Sequence, residues 1–354
     1  MFVLPSYDVG GAQRVLLTLA DRLDRSRFAP ELMVFHSRGG LSGGSPNLPI
    51  HDLQRARLRS ALPRMLQVLR QRRPQVIFST FGYVNIALLA MRPLLHNRPR
   101  IVIREPNTPS ASLPSLAFAR ALRSGYRMLY PGADRIVCQS RLIWDELVRD
   151  FGVPAAALTM LPNPVDEDGV RRAAAQPIRD EGAGPRFVAV GSLTRQKGFD
   201  RLVELFPQLA PDARLTIYGE GSDRAALASL IGRLGLGERV RLAGHAANPW
   251  APMAGADALL LPSRWEGLPN VALEALACGT PVIATPESGG LVEVARATPP
   301  GAITLGAFPG EFAAAARAVS ANSPMRLRPT LLPREFSADA VSCAFAELLA
   351  GDDR

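Results

Sequence analysis

Lys197 is the only lysine of the chain, although 41 positions carry Lys or Arg. It sits in Gly191-Ser-Leu-Thr-Arg-Gln-Lys-Gly198. Phe187-Val-Ala-Val190 before it reads as a buried parallel strand, and Gly198-Phe-Asp-Arg-Leu-Val-Glu-Leu205 reads as the helix that follows. Open α/β sheets bind ligands at that kind of strand end. A compact ammonium beside a helix N-terminus suits a phosphate, because backbone amides and a point charge then act together. The plainer alternative is a solvated loop charge.

A second constellation runs from Pro262-Ser-Arg-Trp-Glu266-Gly-Leu-Pro-Asn270 through Glu274 to Gly279-Thr-Pro281. Glu266 and Glu274 lie eight positions apart across a strand, a loop and a helix. Asp257-Ala-Leu-Leu-Leu261 supplies the strand, Asn270 is the expected N-cap, and Gly279 with Pro281 ends the helix before Val282-Ile-Ala-Thr285. The backbone of Gly267, Leu268, Pro269 and Asn270 then faces a diphosphate, with a carboxylate on either side to accept hydrogen bonds from hydroxyls. A nucleotide sugar offers hydroxyls on both its ribose and its hexose. Read singly, Glu274 is a surface helix residue and Glu266 a turn residue.

These residues resemble the retaining glycosyltransferases of family 4. The resemblance is carried by the pair Glu266 and Glu274, the Lys197-Gly198 loop, Leu242-Ala-Gly-His245 and Gly289-Gly290-Leu-Val-Glu293. It implies an α/β chain of GT-B type, with two Rossmann-like doubly wound parallel-sheet domains facing across a cleft. Carried over from the family, Lys197 binds the donor diphosphate, Glu274 the donor ribose, and Glu266 contacts the transferred sugar. Gly191, Ser192 and His245 join the donor side. Ser192 stands where the family often has Arg, and Arg195 is the nearest replacement. Asp8-Val-Gly10-Gly11-Ala-Gln-Arg-Val15 resembles the family's first loop, whose glycines let the backbone approach donor phosphates. The resemblance runs from about residue 2 to about residue 295, and again over the last twenty or so residues. The chain opens almost directly in its first strand, where relatives usually carry a few more residues.

On the acceptor side, relatives often place a histidine in the loop after the strand Arg100-Ile-Val-Ile103. Here that loop reads Arg104-Glu-Pro-Asn-Thr-Pro109. Arg104 is expected to hold an anionic acceptor such as a lipid-linked phosphate, beside Glu105, while the Asn107 amide orients a hydroxyl. The alternative is a structural turn built by Pro106 and Pro109.

A length of 354 residues exceeds what one core usually supports. Strands alternating with helical patterns argue for parallel sheets. The expected layout is an acceptor-side domain over 1–165, a hinge over 166–184, a nucleotide-sugar domain over 185–330 and a C-terminal helix within 331–354 packing back on the first domain. The Ala- and Pro-rich stretch over 298–331 is given no site.

The formal charge is +9, with arginines dense over Arg55–Arg73. Leu58, Leu62, Met65, Leu66 and Leu69 can share one face there, so the segment either lies on an anionic membrane surface or covers the first domain with its arginine stems pointing outward. No nucleic-acid module accompanies the charge. The uncharged run Pro74–Met91 contains Ser79, Thr80, Gly82 and Asn85 and reads as a strand plus a helix. Three cysteines, Cys138, Cys278 and Cys343, read as ordinary thiols, and four histidines show no ligand spacing. No signal peptide is read, and a cytoplasmic location, at the inner face of the membrane, is expected.

Asp166-Glu-Asp168 fits an Asp-x-Asp metal pattern but reads as an acidic helix start. Lys197, Arg195 and a helix N-terminus already meet the charge of a diphosphate, so neither metal nor cofactor is expected. The implied activity is transfer of a hexose or N-acetylhexosamine, with retention, from a nucleoside-diphosphate sugar such as a UDP-sugar to a glycan or lipid-linked acceptor in envelope polysaccharide synthesis. A nucleotide-sugar epimerase or phosphorylase on the same fold, or a silent nucleotide-sugar-binding module, remains open. A dinucleotide dehydrogenase fails its fingerprint, because Arg224 stands where Tyr218-Gly219-Glu-Gly221 needs a third glycine.

Overall fold

The computed structural model describes residues 1–6, 10–37, 48–115, 118–176, 178, 183–321 and 327–351. Asp8 and Val9 of the first loop, residues 179–182 of the expected hinge and residues 322–326 lie outside the described residues. The chain divides into two compact units, one made of Met1–Pro164 with Ala338–Arg354, the other of Val165–Ser337.

The first unit alternates strands and helices: β1 (Phe2–Ser6), α1 (Gly11–Asp21), β2 (Leu32–His36), β3 (Ile50–Asp52), α2 (Leu58–Arg72), β4 (Val76–Ser79) and α3 (Gly82–Met91). It continues with β5 (Arg100–Glu105), α4 (Pro109–Ser112), α5 (Ala119–Leu129), β6 (Arg135–Cys138), α6 (Arg141–Phe151) and β7 (Leu158–Met160). The second unit holds α7 (Glu167–Ala173), β8 (Arg186–Val190), α8 (Phe199–Leu205), β9 (Arg214–Tyr218), α9 (Arg224–Arg233), β10 (Val240–Gly244) and α10 (Trp250–Gly255). It closes with β11 (Ala258–Leu261), α11 (Asn270–Ala277), β12 (Val282–Ala284), α12 (Leu291–Ala297), β13 (Ile303–Leu305) and α13 (Gly310–Arg317), after which α14 (Ala338–Ala350) belongs to the first unit.

Among the described residues the sheets have seven strands, β3-β2-β1-β4-β5-β6-β7, and six, β10-β9-β8-β11-β12-β13, and the pairings are parallel. Strand order reverses at β1/β4 and at β8/β11, which puts a crevice at the carboxyl ends of those strands. Alternate residues feed the two faces of each sheet. In β1, Phe2 and Leu4 pack with α1, and Val3 joins the opposite core with Met65 and Leu69 of α2. In β8, Phe187 and Ala189 pack against Phe199 and Leu202, whereas Val188 faces Leu273 and Leu276. Burial on both faces is why these strands read as near-continuous apolar runs.

Two sequence expectations change, and one pair of alternatives is decided. The span 166–184 is not a free hinge, because Asp166 caps α7, accepting from the Gly169 amide, and Val170 and Ala174 are buried in the core of the second unit. The crossing therefore falls at Pro164–Val165. The return crossing falls at Ser337–Ala338 rather than near 331, since Leu332 and Phe336 are buried in that same core. On α2, Ala61, Met65 and Leu69 are fully buried, and Leu58, Leu62 and Leu66 pack against the core. Its apolar face is thus already covered by protein, and its exposed residues are arginines together with Ser60, Pro63, Gln67 and Gln71.

Candidate functional site

Two loops meet at the crevice of the second unit, one after β8 and one after β11. Gly198 lets them approach: its φ is 69°, in the region that favours glycine, and a Cβ there would strike the Pro262 carbonyl. Arg201, in the first turn of α8, donates from Nε to the Pro262 oxygen at 2.7 Å and from Nη2 to the Ser263 oxygen at 2.6 Å. Arg264 reaches back, pairing with Asp200 through bonds of 2.8 and 2.7 Å and donating to the Arg195 carbonyl at 2.8 Å. The Arg264 hydrogen bond holds the Asp200 carboxyl below its ordinary range.

Within this frame Lys197 Nζ donates to Glu266 Oε1 at 2.5 Å. The same oxygen accepts from the Ser263 hydroxyl at 2.8 Å, while Gln196 Nε2 lies 3.4 Å from Oε2 and 3.0 Å from the Trp265 carbonyl. Glu266 is only 5% exposed, so its orientation is fixed by a charge pair and neutral donors together. The loop behind it is pinned to the loop after β12, with the Glu266 amide donating to the Glu287 carbonyl at 3.1 Å and the Gly290 amide to the Gly267 carbonyl at 2.7 Å.

Glu274 stands in α11, and its Oε2 accepts from Trp250 Nε1 at 3.1 Å. Trp250 opens α10, where Asn248 Oδ1 accepts from the amides of Trp250 at 3.1 Å and Ala251 at 3.4 Å. Asn270 is the first helical residue of α11, and Pro269 occupies the cap position expected for Asn270. Pro269 is extended there and supplies no side-chain cap to α11.

The expected site residues separate into groups. Lys197, Gly191, Glu266, Gly267, Leu268, Pro269, Asn270 and Glu274 gather on the loops and helix at the switch point; a Cβ on Gly191 would sit 3.3 Å from Lys197 Cε. Ser192 and Arg195 are exposed on the β8 loop, and His245 is exposed at the end of β10, with β9 between it and β8. Gly10 and Gly11 belong to the first unit, at the start of α1.

The acceptor expectation for Arg104 and Glu105 is corrected. Arg104 is 3% exposed, and its guanidinium donates to Thr80 Oγ1 at 2.7 Å and Asn163 Oδ1 at 2.5 Å. Glu105 is 2% exposed and accepts at Oε2 from Tyr126 at 2.8 Å and Tyr130 at 2.7 Å. Both ends of β5 side chains are consumed inside the unit, whereas Asn107 in the following loop is half-buried. Ser263, Gln196, Arg201 and Trp250 were not singled out from sequence. Ser263 and Gln196 neighbour chosen residues, but nothing local marks Trp250, 24 positions before its partner.

Among the described residues no group of His, Cys, Asp and Glu has the makings of a metal site. Cys138 and Cys278 are buried, and burial pushes both thiols up, so neither is a thiolate at neutral pH.

The family model Glycosyltransferase Family 4 matches residues 9–168 and the model Glycosyl transferases group 1 matches residues 171–330. The chain is 30% identical over 299 residues to the N-acetylgalactosamine-N,N'-diacetylbacillosaminyl-diphospho-undecaprenol 4-alpha-N-acetylgalactosaminyltransferase of Campylobacter jejuni, covering 80% of each protein. The chain belongs to the family 4-like glycosyltransferases. A 2-deoxystreptamine glucosyltransferase of Streptomyces kanamyceticus is 31% identical over 185 residues, 49% of this glycosyltransferase and 47% of that one. Among solved structures, Anabaena HepE in complex with UDP-glucose superposes with a TM-score of 0.72 at 18% identity, covering 99% of this chain and 98% of that one. That likeness shows the GT-B fold of this glycosyltransferase.

Proposed function

We propose that this glycosyltransferase moves a hexose or N-acetylhexosamine from a nucleoside-diphosphate sugar, with retention of anomeric configuration and without a metal, to a glycan or lipid-linked acceptor. The observation that carries the reading is the Lys197–Glu266 pair at 2.5 Å, set between the β8 loop and the start of α11. As the donor bond breaks, negative charge grows on the leaving diphosphate, and a preorganised ammonium with backbone amides stabilises it. Arg195, exposed on the same short turn, is free to swing toward that charge from solvent. Glu266 orients the transferred sugar and Glu274 accepts from the ribose.

The donor class is supported by the UDP-glucose bound to HepE, and the acceptor class by the diphospho-undecaprenol substrate in the name of the Campylobacter relative. An envelope glycan built at the inner face of the membrane fits both. No helix among the described residues is long and apolar enough to cross a membrane. The arginines of α2 therefore offer an anionic surface attraction without insertion.

A screen of nucleotide sugars for consumption with and without lipid-linked acceptors, followed by NMR of the product anomer, tests the reading. Consumption of a donor with the anomer retained is expected, unaffected by chelators. An inverted anomer, a chelator-sensitive rate or epimerised donor in the absence of acceptor each refutes part of it.

A further inference from the structure

Residues 327–332, at the end of the Ala- and Pro-rich stretch, cross the C-terminal ends of α10 and α11, the two helices that bring Trp250 to Glu274. Helix ends leave carbonyl oxygens with no partner inside the helix, and this strap supplies partners to both. Arg328 Nη2 donates to the Ala256 oxygen at 2.6 Å, with the Ala254 oxygen at 3.3 Å, and so closes α10. The same nitrogen donates to Thr280 Oγ1 at 2.8 Å, just beyond α11, and that hydroxyl donates in turn to the Met253 oxygen of α10 at 2.7 Å. The Leu331 amide donates to the Leu276 oxygen of α11 at 2.8 Å. Gly279 makes the crossing possible: its φ is 74°, and a Cβ there would strike the Pro329 carbonyl and the Arg328 side chain.

We propose that Arg328 is a positioning residue for the donor nucleoside: by locking the end of α10 to the end of α11 it fixes the aim of Trp250 at Glu274, and through Glu274 the hold on the ribose. The inference rests on the ribose role given to Glu274 above, whereas the brace itself stands on the bonds just described. Helix α10 has six residues, under two turns, so a shift of its last residues is carried to Trp250 at its first. The Cys278 thiol, 3.7 Å from the Trp250 carbonyl, links the end of α11 to the start of α10 as well. Arg171 of α7 holds the strap from behind, donating to the Arg328 carbonyl at 3.2 Å and to the Ala277 oxygen of α11 at 2.8 Å. Arginine suits the post because its planar fork meets several oxygens of two elements in one fixed geometry, which a lysine ammonium on a flexible stem does not reproduce.

The test has two readouts on the full chain. Nitrogen-15 NMR of the ligand-free protein follows the Trp250 indole N–H, assigned by its loss in Trp250→Phe, and calorimetry compares UDP with its 2′-deoxy form. In Arg328→Met the indole signal should move toward its position in Glu274→Ala, and the preference for UDP over the deoxy form should narrow by about threefold to tenfold. Combining Arg328→Met with Trp250→Phe should narrow it no further than Trp250→Phe does alone, because both changes act through one bond. Arg334→Met, exposed a few residues along the same segment, should change neither readout. If Arg328→Met does not fold, Arg328→Lys, which keeps the charge and loses the fork, carries the test. An indole signal unmoved in a folded Arg328 variant, a narrowing that adds in full to that of Trp250→Phe, or an equal narrowing in Arg334→Met overturns the proposal. A moved indole signal in a chain whose native form treats UDP and 2′-deoxy-UDP alike would keep Arg328 as the brace of Trp250 and overturn the ribose role of Glu274 instead.

Discussion

The Lys197 ammonium faces competing demands. In the structure it neutralises Glu266, whose side chain is almost wholly buried, and in the proposed reaction it must also face a diphosphate. Three donor hydrogens let one ammonium serve both. Lys197→Ala should therefore lower turnover by about a hundredfold or more, since the charge it meets grows in the transition state, and should also destabilise the second unit by leaving Glu266 unpaired. Arg317→Ala, exposed on α13, is the suitable control. Arg201 is not, because it ties the two loops together. Equal turnover in the Lys197 and Arg317 variants would remove the phosphate role. The glutamates separate by ligand. Glu274→Gln should weaken UDP itself, and Trp250→Phe, which keeps the ring but loses the bond that aims Glu274, should narrow the preference for UDP over its 2′-deoxy form by about threefold to tenfold. Glu266→Gln should leave UDP affinity near native and reduce transfer. A deoxy preference unchanged in the Trp250 variant would show that the indole does not position Glu274.

At the scale of elements, spacing made the donor-side loops legible, because strand, glycine-bearing loop and helix follow one another within about ten residues and their chemistry is local. Arg104 and Glu105 show what spacing hides. A charged pair after a strand looks available to a ligand, yet here β5 carries both inward, where Thr80, Asn163 and two tyrosines from α5 and the turn after it had to be brought from distant sequence. The α2 segment meets the same limit: its amphipathic pattern suits lipid and sheet alike, and the packing of Met65 and Leu69 on the core of the first unit decides between the two alternatives its sequence left open. The buried β5 carboxyl has a measurable signature. Burial pushes Glu105 up to about 7 from an ordinary 4.5, with the Tyr130 and Tyr126 bonds opposing the rise. Its folded value lies above its unfolded one, so its contribution to stability is complete below about pH 4.5 and is lost as pH rises to about 7. Urea unfolding at pH 5 and pH 8 should show Glu105→Gln gaining on the native protein as pH rises, by at most on the order of 3 kcal/mol. A difference that stays flat across that window would mean that Glu105 is ionised in the folded chain.

At the scale of the molecule, two units of alternating strands and helices were readable from length and pattern, but the points of crossing were not. A proline-bearing turn resembles a hinge wherever it lies, and it took the burial of Val170, Leu332 and Phe336 to assign their segments to the second unit. Phe345 of α14 shows the other half of that assignment. It packs edge-on against Phe78 at 4.8 Å and beside Phe2 at 6.2 Å, and Arg100 donates to the Leu348 and Leu349 carbonyls at 3.3 and 3.0 Å. Phe345→Ala should cost about 3–5 kcal/mol and act on one unit only. Calorimetry should show the transition of the first unit lowered while UDP still raises the other. A joint shift of both transitions would mean that the units unfold together.

The same helix also governs how the protein is made. A ribosome delivers the strands of the first unit early, but the side chains that cover Phe2, Phe78 and Leu16 arrive only after the whole of Val165–Ser337 has been translated. The second unit is uninterrupted in sequence and is able to close while its host still waits with an uncovered apolar face. A chain truncated after Ser337 would thus carry one finished half and one sticky half, the kind of surface that chaperones hold. The order of birth runs opposite to the order of completion.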